Sequence, residues 1–141
     1  MIQENKHIVR TLVEELEGTG NYAAAKTLLA TDFGGKIPFF EIDGRHEYIS
    51  SVQMLRSAFP DMDVQVTQLV AEDDMVAIRL AVRGTQQGEF LGLSPTGRPI
   101  QMNGAAFFRV AGGKIVEAWS FPDLFGVMQQ LGAIPEQEAI S

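Results

Sequence analysis

Asp123 is the residue whose neighbours best prepare it for acid–base chemistry. It follows a run, 114–121, that reads as a β-strand and closes in Phe-Pro-Asp. Proline cannot donate to a strand ladder and its φ is fixed, so Pro122 stops the strand and leaves a carboxylate at its end. In an apolar pocket, burial would push that carboxyl up toward values useful to a general acid or base. The same position suits the N-cap of a helix starting at Leu124, where aspartate is favoured. The sequence allows both. Trp119 and Phe121 stand four and two residues before Asp123. Period-two alternation puts them on its strand face, as an aromatic wall for a planar ligand or as plain core. Gln101 and Asn103 share one face of the preceding strand, alternating with Met102. Their amides could orient a carbonyl or hydroxyl group, or they could face solvent or a second copy of the chain. Arg109 and Glu117 are spaced to pair across the hairpin. Met54, Phe59, Phe39, Phe40, Phe90 and Phe107 are further large apolar side chains, divided between cavity lining and core. Of these, Met54, Phe59, Phe40 and Phe107 are taken as cavity candidates.

Positioning these groups requires a sheet. Two β-runs, 99–111 and 114–121, are joined by Ala-Gly-Gly-Lys, a hairpin signal with two residues free to take positive φ. Before them, 63–72 and 76–83 alternate apolar and polar residues around an Asp73-Asp74 turn, with arginines on the second face. The loop 87–97 is glycine-rich and holds Pro95. Upstream, 2–17 carries Ile8, Val9, Leu12, Val13 and Leu16 at helical spacing, ended by Gly18 and Gly20. A second helix is expected over 22–30, broken at 31–35, then a short edge strand or extended loop over 36–42. A third helix covers 45–58, and a short C-terminal one 124–131. Helices grouped before strands indicate an α+β domain. The expected architecture is a curved four-stranded antiparallel sheet wrapped around three N-terminal helices, a cone-shaped barrel enclosing a cavity, with a short C-terminal helix. It spans 1–134, and 135–141 form a flexible tail.

Composition narrows the partners. The chain has 141 residues, 45% hydrophobic and 21% charged, with a formal net charge of −7. An acidic surface argues against nucleic acid and anionic membranes. Cysteine is absent, so no disulfide, thiolate metal site or cysteine nucleophile exists. No apolar run approaches the roughly 20 residues of a membrane span. A cytoplasmic protein is the simplest expectation. The apolar outer face of the sheet suggests a homodimer.

Taken together, Gly84-Thr85, Gly88-Glu89-Phe90, Pro95-Thr96-Gly97-Arg98, Phe108-Arg109-Val110, Gly113 to Glu117, Trp119, Asp123 and Gln130-Leu131-Gly132 resemble one family. Phe59-Pro60-Asp61 fits too. The likeness is to the SnoaL-like polyketide cyclases, or ester cyclases, within the nuclear-transport-factor and ketosteroid-isomerase type of cone, and covers nearly the whole chain. It implies ring closure of a hydrophobic small molecule by intramolecular aldol condensation, without metal or organic cofactor, with Asp123 at the position of the pocket acid. Many relatives carry histidine directly after Gly-Thr. Here the residue is Gln86, an amide that can hold a ligand but cannot shuttle protons. That departure keeps two alternatives open on the same fold, a non-catalytic small-molecule binder and a hydrolase or isomerase variant.

Overall fold

The computed structural model describes residues 1–37 and 40–135, with the side chains of all but Ile37 and Phe40 among them. The expectation for Phe39 lies outside the described residues, as does that for a flexible tail over 135–141 in all but Pro135. Ile2–Thr11 (α1) runs directly into a π-helical stretch, Leu12–Glu17. Tyr22–Leu28 (α2), Arg45–Ala58 (α3) and Leu124–Gln130 (α4) follow. The strands are Leu29–Ile37 (β1), Phe40–Asp43 (β2), Asp63–Glu72 (β3), Met75–Thr85 (β4), Pro99–Ala111 (β5) and Lys114–Pro122 (β6). They form one sheet in the order β2-β1-β6-β5-β4-β3.

The expected antiparallel meander is there as β3 to β6. The expected total of four strands is corrected to six. The second helix stops at Leu28 instead of residue 30, and the supposed break becomes β1. That strand reads LATDFGGKI and shows no alternation. What holds it is pairing at long range, parallel to β6 and antiparallel to β2. Tertiary pairing here overrides weak local propensity. Gly35 fits because a Cβ there would come within 3.0 Å of the Phe33 ring, which is wholly buried.

Alternation divides the sheet into two faces. Val76, Ile78 and Val82 of β4, Ile100, Ala106, Phe108 and Val110 of β5, and Ile115 and Ala118 of β6 are buried on the inner face. Against them lie Val9, Leu12, Val13 and Leu16, each fully shielded from solvent, with Val52 of α3. Burial of each such valine, leucine, isoleucine or phenylalanine stabilises the fold by about 1.5–3 kcal/mol. Register shifts in β1–β6, β3–β4 and β5–β6 bend the sheet toward the helices. On the side where the sequence expects a ligand-sized hollow, the first helix packs against β3, β4 and β6.

Two polar clasps complete the frame. Beyond Gly104, β5 extends past the end of β6. There the Gln130 side chain takes the missing strand's place: its Oε1 accepts from the Gln101 N–H at 2.7 Å, and its Nε2 donates to the Gln101 carbonyl at 2.8 Å. The second clasp joins the π-helical stretch to α3. Tyr48 donates its hydroxyl to Glu17 at 2.6 Å, and Arg56 donates to the Glu17 carbonyl at 2.8 Å. Burial pushes the Glu17 carboxyl above its ordinary 4.5, opposed in part by the Tyr48 hydrogen bond. Glu17 as a residue is half-buried, but its carboxyl is the enclosed part. Burial first, then the neighbouring carboxylate charge, raises Tyr48 well above its usual range.

A carboxyl whose folded value is raised binds its proton more tightly in the folded state. Its stabilising contribution is full below the unfolded value and is lost as pH rises through the folded one. Glu17→Gln keeps an oxygen for Tyr48 and removes the charge. It should raise the thermal midpoint at about pH 7 and give no gain below about pH 4. Circular dichroism melts across that range check this, and an unchanged midpoint at neutral pH would contradict it.

Candidate functional site

The end of β6 carries the acid. Asp123 is exposed and is the N-cap of α4: its Oδ1 accepts from the Gly126 N–H at 3.0 Å. Its own N–H donates to the Asn103 carbonyl at 3.3 Å, which fixes it beside β5. Of the two roles the sequence allowed, the cap is realised. Among the described residues, no hydrogen bond engages the second carboxylate oxygen, Oδ2.

Five other candidates share the sheet's outer face with it. Phe107 lies directly opposite Trp119 in the β5–β6 register, and Phe121 lies opposite Ala105. The Phe107 and Phe121 rings meet edge-on with centroids 6.1 Å apart, and are 43% and 55% exposed. Trp119 is half-buried, and Gln101 and Asn103 point to the same open side. The remaining candidates are elsewhere. Met54 is 74% exposed on α3, turned away from the sheet. Phe59 is buried and packs edge-on against Phe90, centroids 5.2 Å apart. Phe40 begins β2, but its side chain lies outside the described residues.

Gln86 is wholly buried. Its Nε2 donates to the carbonyls of Gly88, Leu93 and Ser94 at 3.1, 3.2 and 3.3 Å. Its Oε1 accepts from the Thr96 N–H at 3.1 Å and from the Thr96 hydroxyl at 2.7 Å. An amide has two N–H groups and two lone pairs, so this side chain is fully engaged within its own chain. It ties both ends of the 87–97 loop together. Arg109 does pair with Glu117, at 3.0 Å, and also with Asp74 at 2.9 Å. The hydrogen bonds to Asp74 and Glu117 raise the guanidinium's already high value.

The sequence reading missed Glu17 and Tyr48, whose perturbed proton affinities are the kind of signal functional sites produce. It missed Asp61 as well. The Thr85 N–H donates to Asp61 at 2.7 Å, and that bond holds the carboxyl below its usual range. Only the Phe-Pro-Asp run hinted at it. Two clefts open on the outer face. One, of about 240 Å³, has Gly34 and Gly35 as its floor and is walled by Trp119, Lys36, Glu41, Asp43 and Glu117. The other, of about 150 Å³, lies between Asp63, Gln65, Ala81 and Arg83. Among the described residues, no three His, Asp or Glu side chains gather as a metal's ligand set, and no helix is long and apolar enough to cross a membrane.

Comparison with known proteins gives this geometry a family. The family model described as SnoaL-like polyketide cyclase matches residues 7–131. Aklanonic acid methyl ester cyclase DnrD of Streptomyces peucetius is 28% identical over 94 residues, 65% of this chain and 64% of that protein. The matched part thus spans under two thirds of the relative's length. Among solved structures, a protein of Jannaschia sp. CCS1 named as a SnoaL-like polyketide cyclase superposes with a TM-score of 0.87 at 26% identity, covering 95% of each chain. IdmH of Streptomyces antibioticus, named as a polyketide cyclase, superposes with a TM-score of 0.80 at 31% identity, covering 91% of this chain and 98% of its own. As fold alone, the likeness extends to ketosteroid isomerase-like architecture, an α+β cone. With the family model matching most of its length, the chain belongs to the SnoaL-like polyketide cyclases.

Proposed function

We propose that the protein is a cofactor-independent cyclase that closes a ring in a hydrophobic small molecule by an intramolecular aldol step. The observation that carries this reading is the family match over 7–131, which includes Asp123 at the end of β6. In the step, the unengaged oxygen of Asp123 removes a proton from a carbon next to a carbonyl. The carbanion attacks a second carbonyl of the same molecule, and the proton returns to the new alkoxide. Atoms and charge balance without a co-reactant. The cap does not forbid this role, since one oxygen holds α4 and the other is left to react. The substrate is handled at the rim between β6 and α4, where Asp123 is exposed.

We assign Gln86 to bracing instead of ligand contact, and Phe107, Trp119, Gln101 and Asn103 to a surface that meets a second copy of the chain. A homodimer is therefore part of the proposal. A second reading, a small-molecule binder without catalysis, is supported by Gln86. Where many relatives carry a proton-transferring histidine, the amide is consumed by the loop.

Aklanonic acid methyl ester, the substrate in the DnrD name, is the first compound to offer. Asp123→Asn keeps an acceptor for the cap, since asparagine and aspartate cap about equally well, and removes the titratable acid. Stability should change by less than about 0.5 kcal/mol while ring closure, followed by loss of the open-chain compound, falls by at least about 100-fold. Undiminished turnover would rule out the role. Binding without product over hours would favour the second reading.

Gln86→Leu has a different expected outcome. It strips the Thr96 N–H and three carbonyls of their partner in a buried site, at a cost of at least about 2 kcal/mol. Denaturant titration measures the loss, and hydrogen exchange should place the loosened amides within 87–97. Exchange unchanged in that loop would contradict the bracing role.

A further inference from the structure

Gly126 is the third residue of α4, and its backbone does not require a glycine, since its φ lies outside the left-handed region. Glycine is the poorest helix former after proline. At an ordinary N-cap this position welcomes a side chain, glutamate or glutamine in the capping box. The bond from its N–H to Asp123 Oδ1 therefore does not explain the glycine. Its surroundings do. The three atoms nearest to a Cβ placed there all belong to the Asp123 carboxyl: Oδ2, which it would strike, Cγ at 3.0 Å and Oδ1 at 3.2 Å. The carboxylate lies in the space that a methyl group would fill. Among the described residues, no other glycine has a carboxylate as its nearest such neighbour.

Little else could give way to a methyl at 126. The Asp123 N–H donates to the Asn103 carbonyl at 3.3 Å, and the Asp123 carbonyl accepts from the Val127 N–H at 3.3 Å. The rest of α4 is anchored by Val127 and Leu131, both buried, and by the Gln130 side chain on Gln101. Both backbones are held, so the movable party is the short, exposed side chain of Asp123. Turning it about χ1 takes Oδ1 off the Gly126 N–H and carries Oδ2 away with it.

We propose that Gly126 is the positioning residue of the acid: by lacking a side chain, it seats the Asp123 carboxylate so that one oxygen caps α4 while the other is presented at the rim. The inference rests on the acid role given to Asp123 in the preceding reading. Proton transfer from carbon needs the base within hydrogen-bond reach of one particular proton. A carboxylate swinging freely from the strand end holds that direction only part of the time, and a misplacement of about 1 Å costs on the order of 100-fold in rate. Glycine at 126 gives up helix stability to hold the direction, a local rule broken where function gains from it.

Gly126→Ala tests this, because alanine is otherwise the better helix residue. Thermal melts of wild type, Gly126→Ala, Asp123→Ala and the double variant read the contact. Without the carboxylate, alanine at 126 should raise the midpoint. With the carboxylate present it should raise it by at least about 2 °C less, or lower it. Equal shifts in the two backgrounds would overturn the proposal. The Hα–Hβ couplings of Asp123 report its χ1: one rotamer in wild type, and averaging or a different rotamer in Gly126→Ala, which a change in helix stability alone would not produce. An unchanged rotamer would count against the slot as decisively. In the ring-closure assay described for Asp123→Asn, Gly126→Ala should lower kcat on the order of 10-fold or more, with KM within about twofold of wild type. A kcat equal to wild type, or a loss confined to KM, would remove the positioning role. The two readings fail separately. If Asp123→Asn closes the ring as fast as wild type, the acid role falls, while the melts and couplings, which need no substrate, still decide whether Gly126 seats the carboxylate.

Discussion

The pleat of the sheet is the constraint on which the rest of this molecule depends. Successive side chains on a strand must point to opposite faces. On β4 and β5 this sends Val76, Ile78, Val82, Ile100, Ala106, Phe108 and Val110 toward the helices. The same rule sends Arg79, Arg83, Gln101, Asn103 and Phe107 the other way. No local adjustment can move one of these without moving its neighbours, since a one-residue slip would exchange the faces. The helices decide which face becomes core, and they do so through the apolar stripe of the first helix. Everything functional is then placed by subtraction: what the helices do not cover is what a ligand or another chain can reach.

That logic explains which parts of the fold the sequence made legible. The alternation from 63 to 83 and the Ala-Gly-Gly-Lys turn gave the meander, because those strands pair with their chain neighbours. The Ile8–Leu16 stripe gave the first helix for the same reason, a local period matched to a local structure. Leu29–Ile37 was opaque. Its partner β6 lies about eighty residues further on, as Leu29 pairs with Ile115, and a residue run containing Thr31, Asp32, Gly34 and Gly35 reads as a breaker when its partner is out of view.

Individual side chains were harder to read than elements, and for a definable reason. Residue type states what a group can do; its surroundings state what it is doing. Gln86 looked like a ligand contact because it follows Gly-Thr, a position for which the family resemblance implies a site residue. Its amide instead satisfies five bonds inside a loop that has few other ways to close. Asp123 was open between two roles, and its bond from the Gly126 N–H makes it the cap of α4. Trp119 and Phe107 read as pocket-lining in the sequence and stand opposite each other on the open outer face, since period two tells which residues share a face but not which face is covered. Glu17 and Tyr48 gave no signal at all: their meeting joins positions thirty-one residues apart, on two different helices.

The amide of Gln130 has a consequence for how this sheet avoids sticking to others. Where β6 stops, the overhang of β5 would present free N–H and C=O groups, the template on which strands from foreign chains add and fibrils grow. One side chain occupies that template at both its donor and its acceptor. The short C-terminal helix is in this sense a stopper. A lineage that lost the glutamine would keep its core and its acid, yet carry a raw margin inviting unwanted polymerisation.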